Sequence, residues 1–430
     1  MLCCAVLAAA PAAAGEFGYG GGYSLAYESN PAQLSAGAQH DWVNAVSGGI
    51  AYQERTDELN ASLLAQVEKR VYRSNEQLNT TQASLSGIGV WTISPKLLSW
   101  TVEDSLRNAR IDITAVDSPA NRTEVNSLRT GPDLNLRFSS TNSSVIGARL
   151  GKLDSETSGL SNDTLSAYVR WLHRMSEQST LSLNYEAQRA DLEDGSLVPA
   201  TFRTDLYARF ETRPLPNSFA LDVGTTRVSR TDADDLSGRL VQLTAARQFT
   251  PQSVLRISYL SRYSDTFSDM IQGLTNPTVP GETAQVLGVD VLSTDFYYSE
   301  RGEIVYSSDD GRFIYGLRGY ARQVDYQTLN LDFDELGTRV DWGWHYTGST
   351  QIYATASYLK RNFRTFTQVD VDRNAALGAR FAMNQNMSLS LEAARTEHET
   401  TSALGAFVNS RVMLVFGYSS GPLYAARTRR

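Results

Sequence analysis

The sequence predicts an all-β fold: a transmembrane, antiparallel, up-and-down β-barrel of about 20 strands, within a range of roughly 16–20. Three observations carry this expectation. Apolar and polar residues alternate with a period of two along most of the chain. The connections between the alternating segments are by turns short and long. Beyond its first residues, the chain has no run of the ~18 apolar residues that a spanning helix needs, so a bundle of membrane helices is excluded.

The alternation comes first, because successive strand side chains face opposite sides of a sheet. Phe17, Tyr19, Tyr23, Leu25 and Tyr27 share one face, with glycines, Ser24, Ala26 and Glu28 on the other. Leu63, Ala65, Val67 and Val71 stand opposite Ser62, Gln66, Glu68 and Arg70. The pattern recurs at Leu98-Trp100-Val102, Leu165-Ala167-Val169-Trp171, Leu206-Ala208-Phe210, Val340-Trp342-Trp344-Tyr346 and Val412-Leu414-Phe416-Tyr418. Trp42, Tyr52, Trp91, Trp100, Trp171, Tyr346 and Tyr358 lie near strand ends, where a membrane barrel carries its aromatic girdles.

A soluble sandwich alternates as well, so the connections matter. Short turns are expected at 55–58, 94–96, 141–143, 176–178, 214–217, 250–252, 309–312, 347–349 and 384–386, with longer polar loops between them, as at 109–126, 190–201 and 264–299. Short turns at one rim and longer loops at the other mark an up-and-down barrel. About 20 strands enclose an aqueous lumen, whereas about eight are filled by side chains. The polar faces then point inward. They supply the lumen-facing charges Glu68, Arg70, Glu103, Arg107, Arg170, Glu186, Arg209, Glu211, Asp222, Arg256, Arg262, Arg318, Arg322, Arg339, Asp341, Arg361 and Arg380, and the opposite faces read as nearly free of charge.

Residues 1–14 read as a signal peptide: an apolar stretch ending Ala12-Ala13-Ala14, with cleavage after Ala14 but no Lys or Arg before it. Residues 15–418 form the barrel and 419–430 a short tail after the closing aromatic strand. Both cysteines, Cys3 and Cys4, fall in the leader, so the barrel has no disulfide and no thiolate metal site. The net charge of −8 comes without a basic stripe, which argues against a nucleic-acid partner.

Few residues suggest chemistry. His40, His173, His345 and His398 lie in separate segments without ligand spacing, and no hydrolase, phosphate-loop or zinc-protease motif is present. Neither an enzyme nor a metal or other cofactor is expected. Acidic loop tips at Asp232, Asp234 and Asp235, at Asp332 and Asp334, and at Asp370 and Asp372 read as solvated charge, with Ca²⁺ the alternative. The longest loop is more informative. Phe267, Met270, Ile271 and Leu274 fall at i, i+3, i+4 and i+7, one face of a short helix that Asp265 would cap, and Asn276-Pro277 ends it. Two placements remain open: a constriction folded into the lumen, or an external loop with an apolar patch.

Several motifs are similar to those of a known group. They are the opening Tyr23-Ser24-Leu25-Ala26-Tyr27-Glu28-Ser29-Asn30 strand, the turns Ile93-Ser94-Pro95 and Phe249-Thr250-Pro251, and Ser299-Glu300-Arg301-Gly302-Glu303 leading to Arg318-Gly319-Tyr320-Ala321-Arg322-Gln323-Val324-Asp325-Tyr326. On these the chain resembles the outer-membrane β-barrel proteins associated with the PEP-CTERM/exosortase exopolysaccharide system. The resemblance covers nearly all of residues 15–418 and implies a conduit or accessory in polysaccharide secretion, without catalytic residues. The partners expected are outer-membrane lipid and lipopolysaccharide, the barrel assembly machinery, the polysaccharide and periplasmic export components. A diffusion porin for small solutes and a structural or adhesive barrel with a blocked lumen are the alternative functions.

Overall fold

The strand pattern is realised over the whole described chain. The computed structural model describes residues 15–116, 118, 121–156, 161–192, 201–230, 233–275, 296–402 and 405–420. The first half of the ring comprises β1 Glu16–Glu28, β2 Asp41–Arg55, β3 Leu59–Tyr72, β4 Thr80–Ser94, β5 Leu98–Arg110, β6 Arg122–Arg137, β7 Asn142–Ser155, β8 Ser161–Arg174, β9 Ser179–Leu192 and β10 Thr201–Thr212. The second comprises β11 Asn217–Arg230, β12 Ala233–Thr250, β13 Ser253–Ser264, β14 Tyr297–Asp309, β15 Phe313–Tyr326, β16 Phe333–His345, β17 Thr350–Phe363, β18 Val369–Ala382, β19 Met387–Thr400 and β20 Phe407–Ser419. Among the described residues one α-helix, α1 Thr266–Thr275, lies between β13 and β14, and one 3-10 turn, Glu76–Leu78, between β3 and β4.

Each strand pairs antiparallel with the strands before and after it, and β1 closes the ring on β20 through Tyr23 opposite Phe416 and Glu28 opposite Arg411. The result is a closed 20-stranded antiparallel barrel. Closure leaves no strand edge with unpaired backbone groups. At ~4.8 Å between strands and a tilt near 40°, such a ring is roughly 40 Å across between backbones. Wall side chains alone do not fill that width.

Burial settles which face is which, because it is the reverse of a soluble protein's. Leu150 is 65% exposed, Val46 60%, Leu377 58% and Val223 51%, while Arg361 and Glu103 are each 2% exposed and Asp222 4%. A soluble sandwich would bury the first set and expose the second. Trp42, Trp91, Trp100, Trp171 and Tyr346 all stand exposed on the apolar outer face. The lower rim has short turns at 56–58, 95–97, 138–141, 175–178, 213–216, 251–252, 310–312, 346–349 and 383–386. In the turn at 310–312, Asp310 accepts the backbone N–H groups of Arg312 and Phe313 at 2.9 and 2.6 Å, which holds its carboxyl below the usual range.

The outer face departs from the sequence reading in one respect. It is not nearly charge-free. Outward ion pairs ring the long-loop end, including Arg227–Asp235 at 2.5 Å, Arg239–Glu300 at 2.5 Å and Arg373–Glu399 at 2.5 Å. The strands continue past the apolar band, and there the outward side chains meet water rather than hydrocarbon. The acidic clusters are corrected too, because the strands run further than the alternation indicated. Asp234 and Asp235 lie in β12, Asp334 in β16, and Asp370 and Asp372 in β18, not at loop tips. Asp232, the leader at 1–14 with both cysteines, and residues 421–430 of the tail lie outside the described residues. The loop expected over 109–126 shortens to 111–121, because β5 and β6 run further than the alternation indicated.

Candidate functional site in the barrel lumen

The wall of the lumen is built by strand parity. The structure places Glu68 and Arg70 on the inward face of β3, and Glu103 and Arg107 on that of β5. Arg170 on β8, Arg209 and Glu211 on β10, and Arg256 and Arg262 on β13 also point inward. So do Arg318 and Arg322 on β15, Arg339 and Asp341 on β16, Arg361 on β17 and Arg380 on β18. These residues are spread around the ring rather than gathered at one point.

Most are tied to an opposite charge on the same or the neighbouring strand. Arg70 bonds Glu68 at 2.6 Å, Arg170 bonds Glu186 at 3.2 Å, and Arg209 lies between Glu211 at 3.4 Å and Asp222 at 3.5 Å. Arg339 grips Asp341 through two donors at 2.9 and 3.0 Å. Arg361 donates from Nε to Glu335 at 3.0 Å, with both groups buried. Tyrosines add a second layer of bonds. Tyr207 donates to Glu186 at 2.8 Å, Tyr320 to Glu335 at 2.9 Å and Tyr353 to Glu392 at 3.0 Å. Tyr320 lies flat because residue 337, directly across on β16, is glycine: a Cβ there would come within 2.3 Å of the ring.

Several wall charges escaped the sequence reading. Arg301 and Glu303 were passed over because their outward neighbours, Glu300 and Gly302, are not apolar, so β14 shows no alternation. Arg149 sits where the ladder is interrupted at Gly131 and Pro132. Proline has no N–H to give, and Arg149 Nη1 donates to the carbonyl of Pro132 at 3.0 Å while Nη2 reaches Asp133 at 2.6 Å.

The lumen is crossed by two segments from the long-loop end. The first is α1. Asp265 caps it, accepting the Ser268 N–H at 2.8 Å. Ten residues make a marginal helix in isolation, so docking has to hold it. Phe267, Met270 and Ile271 pack against Ala109, Val125 and Leu153 on the inward faces of β5, β6 and β7. Residue 151 of β7 is glycine where the Phe267 ring rests; a Cβ would lie 2.4 Å from it. Burying three such side chains contributes roughly 5–8 kcal/mol before ordering entropy. Leu274 lies in the last turn, beyond the side chains described.

The polar side of α1 is fixed by wall charges. Arg203 of β10, 7% exposed, donates to Asp265 at 3.1 Å, Ser268 at 3.2 Å and Gln188 at 3.0 Å. Asp269 accepts the Tyr297 hydroxyl at 2.6 Å and faces Arg262 at 3.6 Å. The loop leaves β13, passes β10 and β9, and docks on β5 to β7. Its described part is therefore folded into the lumen, not displayed outside.

The second segment is the β5–β6 loop, which the sequence marked as a long loop but not as one that crosses the lumen. Asp112 and Asn121 brace it: Asp112 accepts the Thr114 N–H at 2.8 Å, and Asn121 donates to the Val116 carbonyl at 3.0 Å. Ile113, 1% exposed, packs among Tyr297, Val324, Phe333 and Phe363. Gln368 donates to the Thr114 carbonyl at 3.0 Å. β5 and β15 stand ten strands apart in the 20-strand ring, so this loop spans the mouth. Tyr297 joins the two segments, its ring against Ile113 and its hydroxyl on Asp269. Ile113 shares its loop with Ile111, Ala115 and Val116, and the sequence does not mark it as the one that docks across the ring.

No family model and no curated protein matches the chain. Among solved structures, a mutant of the ferric enterobactin receptor PfeA from Pseudomonas aeruginosa is 11% identical, with TM-score 0.48, over 94% of this chain and 80% of that one. The FrpB iron transporter from Neisseria meningitidis is 10% identical with TM-score 0.43, over 94% and 81%. Pseudomonas aeruginosa OpdK with vanillate is 9% identical with TM-score 0.38, over 94% and 99%. The closed ring of this chain is read from its own strand pairing.

Proposed function

We propose that this protein is a pore of the bacterial outer membrane that serves as a passive conduit or accessory in exopolysaccharide secretion. The observation that carries the pore reading is the inside-out distribution of side chains: an apolar, aromatic-bordered outer band around a wall of paired arginines, carboxylates and tyrosines. That distribution suits lipid outside and water inside. The short-turn end is then periplasmic and the long-loop end extracellular. The outward ion pairs of the upper rim stand at the level of lipopolysaccharide headgroups, where divalent cations and charges of both signs meet.

The polysaccharide reading draws on the family resemblance and on the chemistry of the wall. Wall charges of both signs, largely paired, leave a weak net field, which favours hydroxyl-rich or mildly charged chains over selection of one small ion. The in-folded α1 and the β5–β6 loop narrow the extracellular mouth of this conduit. Removing the gene lowers secreted polysaccharide while leaving uptake of small sugars unchanged. Normal secretion, with liposome swelling by small sugars abolished when the protein is omitted, assigns the barrel to solute diffusion instead.

A further inference from the structure

The ring is closed, but the seam between β4 and β5 stops short of the long-loop end. The two strands pair from Ser94 opposite Leu98 up to Leu85 opposite Leu106, and no higher. Above that point residues 80–84 of β4 pair only with β3, and residues 107–110 of β5 only with β6. At ~3.3 Å per residue the split is roughly 13–16 Å long. Side chains take the place of the missing ladder. Glu124 of β6 reaches past β5 to accept the Ala83 N–H at 2.8 Å, and Asn108 of β5 donates to the Ala83 carbonyl at 3.4 Å. Two such bonds open more readily than a continuous ladder. β12 and β13 also part, above Val241 and Ser261, but aromatic rings fill that gap: Tyr263 and Tyr298 meet edge to face at 5.0 Å, and Tyr298 donates to the Arg239 carbonyl at 3.2 Å.

The split between β4 and β5 faces a different environment on each side. Inside, α1 lies against β4, β5 and β6, with Phe267, Met270 and Ile271 over Ala109 of β5, so the helix backs the split. A cavity of about 450 Å³ on the inner wall reaches Ala83 and Asn108, a volume within the usual range for small-ligand sites. Gln66, Gln82, Ser84, Ser388 and Ser390 give it an uncharged, hydrogen-bonding lining. Glu68, paired with Arg70 at 2.6 Å, and Arg380 border it. Outside, Val67 stands opposite Ala83 and is 46% exposed, while Lys69, one outward position higher, is exposed as well. The split thus crosses the level where hydrocarbon gives way to headgroups.

We propose that this split is a lateral portal between the lumen and the outer leaflet, used by a single-chain amphiphile with an uncharged, hydroxyl-rich head. The head occupies the cavity lined by Gln66, Gln82 and Ser84, and the hydrocarbon tail passes between β4 and β5 into the bilayer. Undocking of α1 and release of Ala83 by Glu124 and Asn108 open the way. The portal goes beyond the conduit reading and does not depend on it: normal polysaccharide secretion leaves it standing.

The test uses the full chain in liposomes containing a dodecyl maltoside with a diazirine in its tail. After photolysis, adducts are mapped by mass spectrometry on two inward positions at the split, Ser84 and Ala109. Maltose carrying a diazirine but no tail is the control for entry through the mouth. The variants are Phe267→Ala, and Ala83→Cys with Asn108→Cys joined by a short cleavable bis-maleimide; each is first checked for the heat-resistant folded band of a barrel. The tailed probe labels Ser84 and Ala109, and Phe267→Ala raises the yield about tenfold, because loss of a buried ring weakens docking by at least that factor. Bridging the two cysteines abolishes the labelling, and cleaving the bridge restores it. Absence of adducts at Ser84 and Ala109 in both wild type and Phe267→Ala, equal yields with and without the bridge, or equal labelling by the tail-less probe each overturns the proposal.

Discussion

Deleting Thr266–Thr275 and bridging the gap with a short Gly/Ser linker raises single-channel conductance in planar bilayers, on the order of twofold. The expectation follows from where α1 lies. Its apolar face is buried against Ala109, Val125 and Leu153 on the inner wall, so its bulk stands in the water path. A point change reaches the same end by another route. Arg203→Leu leaves Asp205 and Asp265, 4% and 8% exposed, without the guanidinium that neutralises both. Removing one partner of a buried ion pair costs about 3–5 kcal/mol, comparable to the apolar docking energy, so α1 undocks and conductance rises with added flicker. Unchanged conductance in both variants would place the helix outside the ion path.

The second large effect is on stability. Glu335→Ala destabilises the barrel by about 3–5 kcal/mol, read as a lower midpoint in thermal or urea unfolding in detergent. Arg361 is 2% exposed and loses the carboxylate that neutralises it, and Tyr320 loses the acceptor of its hydroxyl. Substituting both members, Glu335→Leu with Arg361→Leu, recovers most of the loss, because no charge is then left buried. A double variant as unstable as Glu335→Ala alone would show that packing, not charge, is at stake there.

The strand faces were legible in the sequence because lipid and water impose opposite demands on alternate residues. Leu165, Ala167, Val169 and Trp171 against Ser166, Tyr168 and Arg170 is such a case. The α1 helix was legible for a related reason: Phe267, Met270 and Ile271 obey helical spacing, and Asp265 caps them as expected. Its docking place was not, since that depends on β5 to β7, more than a hundred residues away. The upper strand ends were misread where the outward face leaves hydrocarbon. Once Arg227, Asp235, Arg373 and Glu399 face water, alternation disappears and strand looks like loop. The crossing of the mouth by Ile113 was invisible, because nothing local tells it from Ile111 and Val116 in the same loop and its partners lie across the ring.

Asp104 follows none of these rules. It faces outward on β5, six positions above Leu98 and so ~15 Å above the short-turn end, with Oδ1 buried and unbonded. A carboxylate at that depth is costly against lipid, and nothing in the fold explains it.

The inside-out assignment of faces is tested most directly on β8. The chain holds no cysteine after Cys4, so single cysteines report without background from the barrel. A fluorophore at Leu165→Cys, Ala167→Cys or Val169→Cys is quenched by a quencher dissolved in the bilayer and shielded from charged thiol reagents. Ser166→Cys, Tyr168→Cys and Arg170→Cys show the reverse, giving a period of two in both readouts. A uniform response along the strand, or the same period with the faces exchanged, contradicts a membrane barrel with a polar lumen.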